Sequence, residues 1–198
     1  MKKINSNKIM LASKSKSRRK TLEDAGLIFE TVSSGVDEDE IKAKMSKAGA
    51  TFKQIAEALA REKALTVSKK HPDSLIIGGD QILACEGKYY DKAKNINEAR
   101  NHLKSFKGKT HELITSIVLV RNGEVIWKHT SRLRLSMRDF SIEFLEEYIE
   151  KAGDALLQSA GCYFIEGLGI QLFSNIEGEY YAIQGMPMLA LLKKLREL

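Results

Sequence analysis

Leu75-Ile76-Ile77 sets three β-favouring apolar residues in a row, with no polar residue between them. A strand exposed on one face alternates apolar and polar side chains, whereas one covered on both faces has no reason to. Such a strand belongs inside a sheet that carries helices above and below, and no other stretch limits the possible folds as much. Helices to provide the cover are present on either side. Thr51-Phe52-Lys53-Gln54 has the form of a capping box and opens an amphipathic segment running to Lys69, with Ile55, Ala58 and Leu59 on one face. His71-Pro72-Asp73 ends that helix, and Gly78-Gly79-Asp80 is read as the end of the strand, leaving Asp80 just beyond it.

The remaining elements follow from similar signals. Ile9 to Ala12 reads as a short buried strand that enters the polar turn Ser13 to Arg19, followed by a helix stopped by Gly26 as a C′ glycine. Phe29 to Val32 is a second candidate strand, and Asp37-Glu38-Asp39-Glu40 is an acidic cluster after it. Asn97-Glu98-Ala99 opens a helix that closes near Gly108. His111 to Val120 and Glu124 to Met137 flank Asn122-Gly123, a strong hairpin signal. Ser141 caps a further helix, with Phe140 and Leu145 spaced as a hydrophobic staple and Gly153 at its end. Two apolar runs, Ile170 to Ile176 and Tyr180 to Ile183, lie about Glu177-Gly178-Glu179, and Pro187 is placed at the first position of a last helix. No repeat or linker breaks the chain. The expectation is α/β: a single domain over residues 1–198, a mixed sheet flanked by helices, with hairpins dominating the later part.

At 198 residues the chain can bury a core without staples. Its two cysteines, Cys85 and Cys162, belong to no metal-binding pattern and suit a reducing compartment. The basic start, Met1 to Lys8, precedes only four apolar residues, too few for a signal-peptide core, and no run approaches a membrane span. The cytoplasm is the expected location. A net charge of +6 suits an anionic partner without choosing among nucleotide, nucleic acid and acidic surface.

Chemistry concentrates in a few places. Five of the seven residues from Lys14 to Lys20 are basic, interleaved with Ser13, Ser15 and Ser17. A strand-to-helix turn of this kind can aim N–H groups, hydroxyls and a guanidinium at one phosphate; it can equally be a solvated loop whose serines cap the helix. Asp80 could hold a divalent cation or activate water, or simply close a strand as aspartates often do. Glu38 could join a magnesium site, although an acidic run more often marks a solvated helix start. Lys63 and Lys92 would not stand out from other surface lysines. His71, His102, His111 and His129 lack metal-ligand spacing, and no Walker motif, GxGxxG or nucleophile elbow occurs. Tyr163, Tyr180 and Tyr181 read as core or pocket walls.

Taken together, several of these segments resemble the Maf family of septum-formation-inhibitor-like nucleotide pyrophosphatases. Leu11-Ala12-Ser13-Lys14-Ser15-Lys16-Ser17-Arg18-Arg19 is similar to its LASxSPRR signature, and Val36-Asp37-Glu38 to its VDE segment. Ala60-Arg61-Glu62-Lys63-Ala64, Gly79-Asp80-Gln81, Asp91-Lys92-Ala93 and Gly108-Lys109-Thr110-His111 resemble further family elements in order. Glu166-Gly167 and Gly185-Met186-Pro187-Met188 complete the series, which spans about residues 8 to 195. The resemblance implies an elongated α/β fold that releases pyrophosphate from nucleoside triphosphates with a divalent cation, Mg²⁺ or Mn²⁺, and a homodimer. It implies Asp80 as general base, Glu38 with Asp80 as metal ligands, and Ser13, Arg18, Lys63 and Lys92 as contacts of the triphosphate.

The departures bear on the base. Lys16 and Ser17 replace the proline and first arginine of the signature, and Ala93 replaces a proline. The Asp-Lys pair and glutamine of the thymidine- and uridine-triphosphate members are missing from Gln158 to Gly167. Gln81 and Glu166 resemble instead the branch acting on 7-methyl-GTP, where a carboxylate would suit the N–H edge or positive charge of the base. Ser17, Gln81 and Glu166 are therefore expected to set specificity. Two other classes of function compete: a nucleic-acid-binding regulator of cell division and a nucleotide sensor without turnover. The enzyme reading expects no stable nucleic-acid partner and no membrane.

Overall fold

The computed structural model describes residues 8–198; the basic stretch 1–7 lies outside the described residues. Seven strands share one mixed sheet. They are β1 (Ile9–Leu11), β2 (Glu30–Thr31), β3 (Leu75–Cys85), β4 (Lys88–Tyr90), β5 (Thr110–Arg121), β6 (Glu124–Met137) and β7 (Phe173–Glu177). The order is β2-β1-β3-β5-β6-β7, with β4 pairing β3. β1 runs parallel to both β2 and β3, while β3–β4 and β6–β7 are antiparallel. The helices are α1 (Lys16–Asp24), α2 (Glu38–Lys47), α3 (Phe52–Ser68), α4 (Ile96–Phe106), α5 (Ile142–Ala152), α6 (Tyr180–Ile183) and α7 (Met188–Glu197). The α/β expectation holds. No helix is long and apolar enough to cross a membrane among the described residues.

The chain forms two compact units. The first comprises residues up to Gln81 with Ile114–Ser131 and Glu179–Leu198; the second comprises Ile82–Leu113 and Arg132–Gly178. In the first unit the parallel strands are sandwiched as their apolar pattern demands. One face packs Leu11, Ile77, Ile117 and Leu119 against Leu22, Leu191 and Leu195. The other packs Met10, Ile76 and Val118 against Ala60, Ala64 and Val67 of α3. Removing such apolar side chains from water contributes roughly 1.5–3 kcal/mol each. In the second unit the buried Phe106, His111 and Tyr163 form an aromatic cluster with the half-buried Phe173 against it.

The local signals largely produced what they promised. The Thr51–Gln54 capping box is formed in both directions, Ser141 Oγ accepts from Phe144 N, and Gly26 and Gly108 have positive φ. Asn122 and Gly123 also take positive φ, at 51° and 77°, as a tight hairpin turn requires. Some readings need correction. Asp80 does not lie beyond the strand, because β3 continues through it to Cys85. The Gly78-Gly79 pair is no breaker there. A Cβ on Gly78 would lie 2.2 Å from Ala60 O and 2.7 Å from Ala64 Cβ, so glycine is what lets α3 lie close against the strand. The parallel register with β1 does end at Ile77, leaving Asp80 three residues past it. Pro187 is the N-cap of α7 rather than its first residue, and Tyr180 to Ile183 is a helical turn. Tyr163 is buried, but Tyr180 and Tyr181 are exposed and wall no core.

Candidate active site

Five segments of the first unit converge on one cluster of charge, with β3 supplying Asp80. The turn after β1 supplies Ser13, and α1 supplies Arg18 from its first turn, where Ser15 Oγ accepts from Arg18 N as the N-cap. Asp37 caps α2 by accepting from Glu40 N, which sets Glu38 at the helix start. The solvated helix-start reading of the acidic run is correct for Asp39 and Glu40, which are exposed. Glu38 turns inward. On α3, Lys63 is carried beside β3 by the close approach at Gly78.

The centre of the cluster is the Lys63 ammonium. Its Nζ lies 2.7 Å from Asp80 Oδ1 and 2.8 Å from Glu38 Oε1. Lys63 and Asp80 are 6% and 5% exposed, and burying such groups is tolerable only because each supplies the other's counter-charge. Arg18, also buried, donates from Nε to Gly185 O at 3.0 Å and from Nη1 to Ser13 Oγ at 3.3 Å. Burial pushes the Asp80 carboxyl above its ordinary range, opposed by the charges of Lys63 and Arg18. Burial likewise lowers the Arg18 guanidinium, opposed by Asp80 and Glu38. Two cations and two carboxylates balance one another. A polyphosphate entering here meets fixed cationic donors, and water beside Asp80 meets a carboxylate able to accept a proton.

The carboxylate pair also suits a divalent ion. Glu38 Oε1 and Asp80 Oδ1 flank one nitrogen, so they are no more than about 5.5 Å apart, the two distances end to end. Magnesium-like ions take one or two carboxylates and complete their shell with water and phosphate oxygens. Among the described residues no group of three or more His, Cys, Asp or Glu gathers to hold a metal by protein alone. The donor set therefore fits an ion whose coordination a polyphosphate completes.

Five of the residues expected from sequence, Ser13, Arg18, Glu38, Lys63 and Asp80, thus come together. Gln81 adjoins them on β3, but its amide N–H groups face Thr115 Oγ1 at 2.6 Å and the carbonyls of Ala182 and Ile183 at 3.0 and 3.1 Å. Only its Oε1 remains as an acceptor for a ligand. Ser17 is half-buried in α1, and its carbonyl accepts from Thr21 Oγ1. Lys92 and Glu166 belong to the second unit, where both are exposed. Sequence reasoning passed over Thr115 and the Gly185 carbonyl. The only trace of Thr115 was a hydroxyl pair, Thr115-Ser116, inside the otherwise apolar run Leu113 to Val120.

The Maf-like protein family model matches residues 8–198. A nucleoside triphosphate pyrophosphatase of Granulibacter bethesdensis is 47% identical over 190 residues, covering 96% of this chain and 96% of that protein. A 7-methyl-GTP pyrophosphatase of Rhizobium etli is 44% identical over 191 residues, again 96% of each. A nucleoside triphosphate pyrophosphatase of Caulobacter vibrioides is 46% identical over 188 residues, 95% of this chain and 94% of that protein. With the family match running through every described residue, and the clustered side chains falling on the segments that carried the resemblance, the chain belongs to the Maf family.

Proposed function

We propose that this chain hydrolyses nucleoside triphosphates to the monophosphate and pyrophosphate. The observation that carries the reading is the buried Lys63 ammonium bridging Asp80 and Glu38 beside the anchored Arg18 guanidinium. The site joins an acceptor for a water proton to cations for a polyphosphate, which is what breaking a phosphoanhydride needs. Relatives of both printed names, acting on nucleoside triphosphates and on 7-methyl-GTP, support it.

In the proposed mechanism Asp80 takes a proton from water as the water oxygen bonds to the α-phosphorus. The bond from that phosphorus to the bridging oxygen breaks, and pyrophosphate leaves with the electron pair. Arg18 and Lys63 receive the charge that builds on the departing group, with Ser13 Oγ alongside. Lys92 is assigned to the same polyphosphate-binding role. Glu38 and Asp80 would hold Mg²⁺ or Mn²⁺, which would neutralise the phosphates and acidify a bound water.

A purine with N–H donors is the favoured base. The Gln81 amide is fixed with its nitrogen toward three protein acceptors, so it presents an oxygen to the ligand. Guanine and 7-methylguanine offer N–H groups to such an oxygen, and Glu166 is assigned to the same readout, with Ser17 as a third specificity position. The proposal extends to a cytoplasmic homodimer acting on free nucleotides; Cys85 and Cys162 are free and buried, as suits a reducing compartment. Hydrolysis of a panel of ordinary and methylated nucleoside triphosphates in ¹⁸O-water, with each metal, tests the reading. Label in the monophosphate and one pyrophosphate per turnover are expected. Orthophosphate as the product, or label in pyrophosphate, would overturn it.

A further inference from the structure

The segment Ala182–Gly185 takes in the end of α6 and the turn after it, and two separate elements of the first unit hold it. From β3, the Gln81 amide donates to the carbonyls of Ala182 and Ile183. From β5, Thr115 Oγ1 donates to Ala182 O at 2.9 Å while accepting from Gln81 Nε2. Thr115 is wholly buried, so no water can take over either of its bonds. Its hydroxyl has one proton, committed to Ala182 O, and its oxygen therefore faces Gln81 as an acceptor. Together with the two carbonyls it turns the nitrogen end of the Gln81 amide inward.

What the turn carries is Gly185, whose carbonyl accepts from Arg18 Nε. Gly185 has φ +92° and no side chain of its own, and a Cβ there would sit 3.1 Å from Arg18 Nε. Its carbonyl is therefore aimed by the anchored residues before it. With Nε on Gly185 O and Nη1 on Ser13 Oγ, the guanidinium plane is set, and Nη2 is left without a protein acceptor among the described residues. A guanidinium held in one plane binds a phosphate edge better than one that must be ordered on arrival.

We infer that Thr115 is a positioning residue of this site: with Gln81 it latches the Ala182–Gly185 turn, and the turn orients Arg18 for the polyphosphate. The inference rests on the hydrolase reading for the role of Arg18, but the latch is a separate matter.

Thr115→Val keeps the shape and removes the hydroxyl, and Thr115→Ser keeps the hydroxyl. Calorimetric binding of pyrophosphate and of a nucleoside monophosphate would be compared for the parent, both variants, Arg18→Ala and the Thr115→Val/Arg18→Ala double variant. Thr115→Val should weaken pyrophosphate about tenfold, the scale of one lost charge-assisted contact. Monophosphate binding should stay within about twofold, because the carbonyls of Ala182 and Ile183 still hold the Gln81 nitrogen and keep its oxygen toward the base, and Thr115→Ser should restore the parent value. In the Arg18→Ala background Thr115→Val should cost nothing more, because the two act as one unit. Thermal melting tracks folding, and Thr115→Ala replaces the valine variant should that one not fold. Additive losses, equal weakening of both ligands, or no weakening would overturn the latch. A parent that neither binds pyrophosphate nor hydrolyses triphosphates would overturn the hydrolase reading with it; a competent parent with an indifferent Thr115→Val overturns the latch alone.

Discussion

Both units bury neutral polar groups, but only the first, among the described residues, buries full charges as well. The first sinks full charges, Arg18, Lys63 and Asp80, and balances them against one another. The second sinks neutral ones: His111 Nε2 meets Tyr163 OH at 2.7 Å, and Tyr148 OH donates to Cys162 O. Burial drives His111 down to about 4, which leaves the imidazole uncharged at neutral pH. A buried neutral pair gives structure at small electrostatic cost. A buried charged network is a poor choice for stability alone, since apolar residues of similar size often do as well. The difference supports placing the proposed chemistry in the first unit.

Three experiments can break or sharpen that contrast. The largest effect is expected from Asp80→Asn, which keeps the shape beside Lys63 and removes the proton acceptor. Hydrolysis should fall roughly 10³-fold, in the middle of the range for a lost general base; an unchanged rate would remove Asp80 from the mechanism. Next comes Lys63→Met, which leaves Asp80 buried without its nearest cation. Urea unfolding should show a loss of about 3–5 kcal/mol, as for other broken buried pairs, and a loss under 1 kcal/mol would mean that the cluster is far wetter than its burial indicates. The third concerns pH in the second unit. An unfolded imidazole titrates near 6.5 and the folded His111 at about 4, so its stability contribution is intact above pH 6.5. As pH falls toward 4 the unfolded chain takes up the proton first. Up to about 3 kcal/mol should be lost across that window, with His102, also lowered by burial, adding in the same direction. His111→Phe should remove most of this acid sensitivity; an undiminished slope would place its source elsewhere.

How much of this could be read from the chain depends on how local each signal is. Caps and turns are decided by neighbours in sequence, and Thr51, Ser141 and Asn122-Gly123 did what their residue types promise. Gly78-Gly79 misled because a glycine pair that interrupts a strand and one that admits a helix look identical in one dimension. Lys63 carried no mark of its own. Only the family resemblance raised it, and only the fold explains it, by bringing Asp80 from seventeen residues away within 2.7 Å. Thr115 lay in neither the resemblance nor the chemistry, since its partners at Ala182 are sixty-seven residues distant.

The gap at Gly78 has a consequence for how this protein can vary. The reach of the Lys63 stem is gauged by the backbone of a neighbouring strand, and the clearance at that point is too small for even one methyl. A change that introduces no charge and touches no substrate would lever the helix outward, and the displacement would be felt at the far tip of a four-carbon arm. Tolerance for drift in this enzyme is thus set less by its reactive atoms than by a spacer that must stay empty.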